Sequence, residues 1–188
     1  MSGYTWPMRL FLFAIFSFAM LGPEARADQT DTRLDSLFEE LRTGDALSAD
    51  ETVDRIVGIW ADSQSDTVDL LYARASQSVD AGDYDVALAL LDHVVGLTPN
   101  FADGYALRGV VRMSVSEEAD AVADFSKALE LEPRHFGVRM ALAEWFLANG
   151  DKREAYDMLQ KVLEWNPHNE PARRRARALR RELDSQEI

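Results

Sequence analysis

The stretch VDLLYARASQSVDAGDYDVALALLDHVVGLTPNF, residues 68–101, returns in outline as ADGYALRGVVRMSVSEEADAVADFSKALELEPRH at 102–135 and as FGVRMALAEWFLANGDKREAYDMLQKVLEWNPHN at 136–169. Overlaying the three aligns Pro99, Pro133 and Pro167, each 34 residues from the next. Ala87, Ala121 and Ala155 keep that spacing, and so do Ala75, Gly109 and Ala143. Gly82 and Gly150 stand two periods apart, with Ser116 in the slot between them. Self-similarity at a fixed period of this length is the mark of a repeat architecture and takes precedence over assigning single elements.

Physical chemistry accounts for the residue types in those slots. Two helices of a hairpin approach to about 8–10 Å between axes, and a small residue at the crossing permits it; Ala75, Gly109 and Ala143 serve there. Ala81-Gly82-Asp83 and Asn149-Gly150-Asp151 combine a glycine for positive φ with an aspartate for the next N-cap. The prolines close each second helix and start the next hairpin. A single hairpin leaves an apolar face that only its neighbour can cover, so the units must stack.

In residue type and period, residues 68–169 resemble three tandem tetratricopeptide repeats (TPRs), at 68–101, 102–135 and 136–169. The first large slot of that family's pattern holds Leu71, Tyr105 and Arg139, and the bulky slot of the second helix holds Leu91, Phe125 and Leu159. Only Phe146 of the third repeat fills the aromatic slot, where Ser78 and Arg112 stand in the others. Arg74 and Arg108 replace a leucine, and Ser116-Glu117-Glu118 replaces the glycine turn of the middle repeat. The resemblance implies an all-α superhelix, or solenoid, of stacked helical hairpins. It also implies a concave surface lined by the first helix of each hairpin, facing Asp69, Tyr72, Ser76 and Val79, then Asp103, Ala106, Val110 and Met113, then Met140, Glu144 and Leu147. Lysine and asparagine are absent from these positions, which disfavours capture of a C-terminal carboxylate. Tyr72, Val110, Met113 and Met140 suit an extended or helical segment with apolar anchors.

Outside the repeats, residues 28–67 carry Leu34, Leu37, Phe38 and Leu41, then Val53, Ile56, Val57 and Trp60, at helical spacing. They lack the alanine and proline slots, and we read them as a degenerate repeat capping the N-terminal end. Residues 170–188 form a closing helix, about Glu170 to Leu183, with Pro171 in its first turn and Ala172, Ala176, Leu179 and Leu183 as its buried stripe. Arg173, Arg174, Arg175, Arg177, Arg180 and Arg181 surround the stripe, either as a solvated face or, through Arg173, Arg174, Arg177, Arg180 and Arg181, as an electrostatic dock for an acidic partner or anionic lipid.

Residues 1–27 have the plan of a secretory signal: a short polar start, an apolar run from Leu10 to Leu21, and small residues at Ala25 and Ala27. As a helix that run spans roughly 18 Å, short of the roughly 30 Å of a hydrocarbon core. Cleavage before Asp28 is expected, with retention as an uncleaved anchor or secretion from the cell as alternatives to a bacterial periplasmic location. The mature chain then holds 32 acidic and 18 basic residues, and residues 28–131 carry 22 acids against 7 bases. Such a body repels a phosphate backbone, which argues against nucleic acid as a partner.

With no cysteine in 188 residues, thiol nucleophiles, disulfides and Cys-ligated zinc are excluded. No phosphate loop, nucleophile elbow or H-E-x-x-H pair occurs. His93, His135 and His168 are too scattered to predict a metal site. Trp60, Trp145 and Trp165 each lie in an apolar periodic stretch and are expected in the core, Trp60 being the first candidate for an exception because it ends a degenerate hairpin. We therefore expect no cofactor and no catalytic activity. The expected function is an exported adaptor holding a peptide or protein segment in its groove; the alternative is an assembly factor acting through self-association or its terminal caps.

Overall fold

The computed structural model describes residues 31–186, so the segment expected to be a signal lies outside the described residues. The described residues form nine helices: α1 (Thr32–Thr43), α2 (Ala49–Trp60), α3 (Asp66–Ala81), α4 (Tyr84–Leu97), α5 (Ala102–Ser114), α6 (Glu118–Leu131), α7 (Phe136–Asn149), α8 (Lys152–Trp165) and α9 (Glu170–Gln186). Among the described residues there is no strand, and no helix is long and apolar enough to cross a membrane. Helices α3 to α8 nest as three consecutive hairpins, each packing on the next, and α9 closes the stack against α8. The fold is an all-α TPR solenoid.

Local chemistry sets the hairpins. Gly82 and Gly150 end α3 and α7 with φ of 78° and 85°, the left-handed conformation that a residue without Cβ adopts at little cost. Ser116, in the equivalent slot of the middle repeat, is held at φ 63°. The small slot of the middle repeat is filled tightly: a Cβ built on Gly109 would lie 2.6 Å from Phe125 Cε1. Arg108, where the family pattern has leucine, donates to Asp124 of α6 at 2.9 and 2.7 Å and to Asp92 of α4 at 2.8 Å. An ion pair thus replaces an apolar contact across three helices. Its counterpart Arg74 is exposed.

The α1–α2 hairpin departs from the expected end cap. Leu34, Leu37, Phe38, Leu41, Ile56, Ile59 and Trp60 join one core with Phe136, Ala143, Leu159, Val162, Ala172 and Leu179, so the hairpin lies against the α7–α9 part of the stack. It covers the turns that precede α7 and α9. The Trp60 indole stacks on the His135 ring at 4.5 Å, and its Nε1 donates to Glu132 Oε2 at 3.3 Å. Phe38 meets Trp165 edge-on at 5.7 Å and carries the Arg134 guanidinium 4.5 Å above its ring. Arg134 also reaches Asp35 at 2.7 Å, and the His168 ring nitrogen contacts the Gly44 carbonyl at 3.1 Å. The physical reason lies in side-chain size. Without small residues at a crossing point, α1 and α2 cannot sit close on another hairpin, whereas the bulky Phe38 and Trp60 fill the wide space over those turns. The expectation for the tryptophans is reversed: Trp60 is 1% exposed, whereas Trp145 and Trp165 are only partly buried, and Val57, expected inside, is 42% exposed.

Candidate binding groove

The first helices of the three hairpins, α3, α5 and α7, enclose two clefts that share Val110 and Phe125 and so run together along α5. One, of about 230 Å³, is lined by Tyr72, Asp103, Ala106, Leu107, Val110, Phe125, His135, Gly137 and Val138. The other, of about 400 Å³, is lined by Val110, Met113, Ser114, Glu118, Phe125, Ala141, Glu144, Trp145 and Ala148. Both walls are mainly apolar. Val110 is 41% exposed, an open aliphatic side chain in the middle of the channel.

One end of the channel is polar and ordered. His135, just before α7, accepts the Val138 amide N–H on Nδ1 at 3.3 Å, which leaves Nε2 to carry the ring proton and donate to Asp103 Oδ1 at 2.8 Å. The Tyr72 hydroxyl lies 3.4 Å from Asp103 Oδ2. Burial, with the Asp103 charge beside it, pushes the Tyr72 hydroxyl well up from the usual phenol range, so it remains a neutral donor. Trp60 backs His135 from the α1–α2 side, so the hairpin shapes this end of the groove. At the opposite end, Trp145 Nε1 donates to Glu118 Oε2 at 3.1 Å, fixing an indole in the wall. Arg175 of α9 forms an ion pair with Glu144.

Of the positions expected in the groove, Tyr72, Asp103, Ala106, Val110, Met113 and Glu144 line the two clefts. The others serve elsewhere. Asp69 accepts from Ser63 N and Oγ, at 2.9 and 2.5 Å, and ties the α2–α3 connection. Val79 packs into the core of the first hairpin, and Met140 and Leu147 pack against the core around α7–α9. Ser76 is half-buried and lines neither cleft. Phe125, Ala141, Trp145 and His135 were not foreseen as lining. The repeat period places Phe125 in a packing slot, and there it is fully buried, its ring forming the floor beneath both clefts.

The α9 arginines are partly committed within the chain. Arg173 pairs with Glu170 at 3.0 Å and donates to the Pro167 carbonyl at 2.6 Å. Arg180 lies 3.9 Å from Asp184, and Arg181 Nε donates to the Arg177 carbonyl at 3.3 Å. Arg174 and Arg177 are exposed. Arg175 pairs with Glu144, a lining residue of the wider cleft, without lining it itself.

Comparison with known proteins agrees with this geometry. The pattern of the family described as "Tetratricopeptide repeat" matches residues 117–180. A TPR repeat-containing protein of Rhizobium etli is 27% identical over 152 residues, covering 80% of this chain and 74% of that protein. Sperm-associated antigen 1 of Mus musculus is 26% identical over 141 residues, 75% of this chain but 16% of its own length. Among solved structures, the first TPR of Spaghetti (RPAP3) bound to the HSP90 peptide SRMEEVD superposes with a TM-score of 0.57 at 20% identity, covering 62% of this chain and 93% of that one. The Yersinia enterocolitica type III secretion chaperone SycD, in complex with a peptide of the translocator YopD, gives 0.57 at 20% identity, covering 63% and 95%. At such identities the structural likeness speaks for the fold. Residues 117–180 thus carry the tetratricopeptide-repeat pattern, within a stack of three nested hairpins that has the fold of that family.

Proposed function

We propose that this protein is a non-catalytic adaptor that holds a segment of another protein in the channel between α3, α5 and α7. The observation that carries the reading is the channel itself, an apolar trough with an exposed valine at its centre and hydrogen-bonding groups at both ends. A concave, mostly apolar site with a few placed polar groups is the general form of a ligand-binding surface. Two solved proteins of the same fold carry peptides, an HSP90 peptide in one and a YopD peptide in the other, which supports a peptide-holding role here. The acidic body disfavours nucleic acid. From the apolar N-terminal run we further propose export to the periplasm of a bacterium, with cleavage before Asp28 and service in a cell-envelope process. Affinity capture from native periplasm, compared between the parent and Tyr72→Ala with Met113→Ala, tests the binding role. A partner retained by the double variant overturns the groove assignment. Sequencing the mature N-terminus tests export, and Met1 or Ser2 there contradicts cleavage.

A second reading, self-association, is favoured by one feature. Leu70, Val86 and Leu97 of the first hairpin are 55%, 52% and 57% exposed, and α1–α2 packs on the other part of the stack. Light scattering over a concentration series tests it: a constant monomer mass excludes it, and an oligomer indifferent to groove variants supports it.

A further inference from the structure

We infer that the groove selects a cationic, apolar-anchored segment in extended conformation, with two basic side chains about five residues apart. This deepens the peptide-holding reading and rests on it. The charge argument starts from the channel lining: among the described residues, the charged side chains of the two clefts are Asp103, Glu118 and Glu144, and no lysine or arginine lines either. Arg175 pairs with Glu144, which leaves the charge of buried Asp103 at one end of the channel and exposed Glu118 at the other as the carboxylates an occupant meets. His135 bonds Asp103 as a ring donor through Nε2 while Nδ1 is occupied by an amide N–H, so the Asp103 charge is oriented and not cancelled. Glu118 accepts one bond from Trp145 and keeps its other oxygen for a partner.

The spacing follows from helix geometry. Asp103 lies in the first turn of α5, and Glu118 opens α6 beside Ser114 at the end of α5. The length of α5 between Asp103 and Ser114 is roughly 16 Å at about 1.5 Å per residue. An extended chain covers that distance in about five residues. The two clefts, of about 230 and 400 Å³, run together along α5, and an extended segment of that length would lie along both. Between the two carboxylates, Val110, Met113, Phe125 and Trp145 offer the wall for an aromatic or aliphatic side chain. The overall charge of −13 adds long-range attraction for the same class of segment.

The test uses the full chain and fluorescein-labelled peptides read by anisotropy. GSKSFLSKSG carries both lysines and the anchor; GSESFLSESG reverses the charges; GSKKSFLSSG places the lysines side by side; GSKSSSSKSG removes the anchor. The first is expected to bind about tenfold more tightly than the second, with the third and fourth in between or lower. That preference should shrink between about 20 and 200 mM salt. Asp103→Asn with Glu118→Gln should erase the preference for lysine, and Glu118→Gln alone, at an exposed side chain, should reduce it without disturbing the fold. Equal or tighter binding of the glutamate peptide, or an undiminished preference in Glu118→Gln and the double variant, overturns the inference. If both peptides bind equally and both are lost on Ala141→Trp, the charge selection falls while the groove reading stands. If none binds, both fall.

Discussion

Gly109 lies where α5 crosses α6, and replacing it by alanine should destabilise the protein even though alanine is the better helix former. A Cβ there would sit 2.6 and 2.7 Å from Phe125 Cε1 and Cδ1 and 3.2 Å from the Ala121 carbonyl oxygen. Carbon atoms in contact rest at about 3.5–4.0 Å, so the ring must retreat by roughly an ångström. Phe125 is fully buried, and the Ala121 oxygen is main chain, so the relief has to come from parting α5 and α6. Overpacking of this kind costs about 1–3 kcal/mol, against about 1 kcal/mol gained from replacing glycine inside a helix. The net loss is up to about 2 kcal/mol and centred on about 1 kcal/mol, or about 2–4 °C in Tm for a chain of this size. Gly58 in α2 and Gly96 in α4 are the controls, because nothing lies within 4 Å of a Cβ at either. Gly58→Ala and Gly96→Ala should each raise stability by about 0.5–1 kcal/mol. Thermal and urea unfolding followed by circular dichroism give the three values. A Gly109→Ala protein that melts at or above the parent refutes the reasoning, as does a loss of similar size at Gly58 or Gly96.

Three further perturbations have definite signs. Ser116→Gly should stabilise by about 1 kcal/mol, because the serine is held at φ 63°, and urea midpoints will show it as a shift without change of slope. Trp60→Ala should cost about 3–5 kcal/mol and free the α1–α2 hairpin, so hydrogen exchange in α1 and α2 should rise before that in α3 to α6. Arg134→Met removes two contacts of 2.9 and 3.0 Å from Glu132, which is 1% exposed, and should cost about 3 kcal/mol or more. In a double-mutant cycle, adding Glu132→Met should restore part of that loss; strict additivity would contradict the pairing.

The repeats were legible because every slot that defines them is local. A proline 34 residues from the next, an alanine at a crossing and a glycine in a turn each act within one hairpin, so the three-hairpin stack can be read from spacing alone. The α1–α2 hairpin has no such slots. Its spacing predicts two amphipathic helices and says nothing of which neighbour they cover, so Trp60 on His135 and Phe38 on Trp165 came only from three dimensions. The groove was half legible for a related reason. Tyr72, Asp103, Ala106, Val110, Met113 and Glu144 follow from which helix face points inward. Met140 and Leu147 share that face by period, yet they pack into the core around α7–α9. Trp145, adjacent in sequence to a lining glutamate, turns into the channel because Glu118 of the preceding hairpin holds its indole nitrogen.

The claim that the channel between α3, α5 and α7 receives a protein segment is tested most directly by photocrosslinking in the native host. Benzoylphenylalanine placed at Val110, exposed within the channel, is compared with the same group at Ser126, exposed on α6 outside both clefts. A discrete protein adduct from position 110 that is missing from position 126 is the predicted result. Adducts of equal yield at both positions, or an adduct from 126 alone, would contradict it.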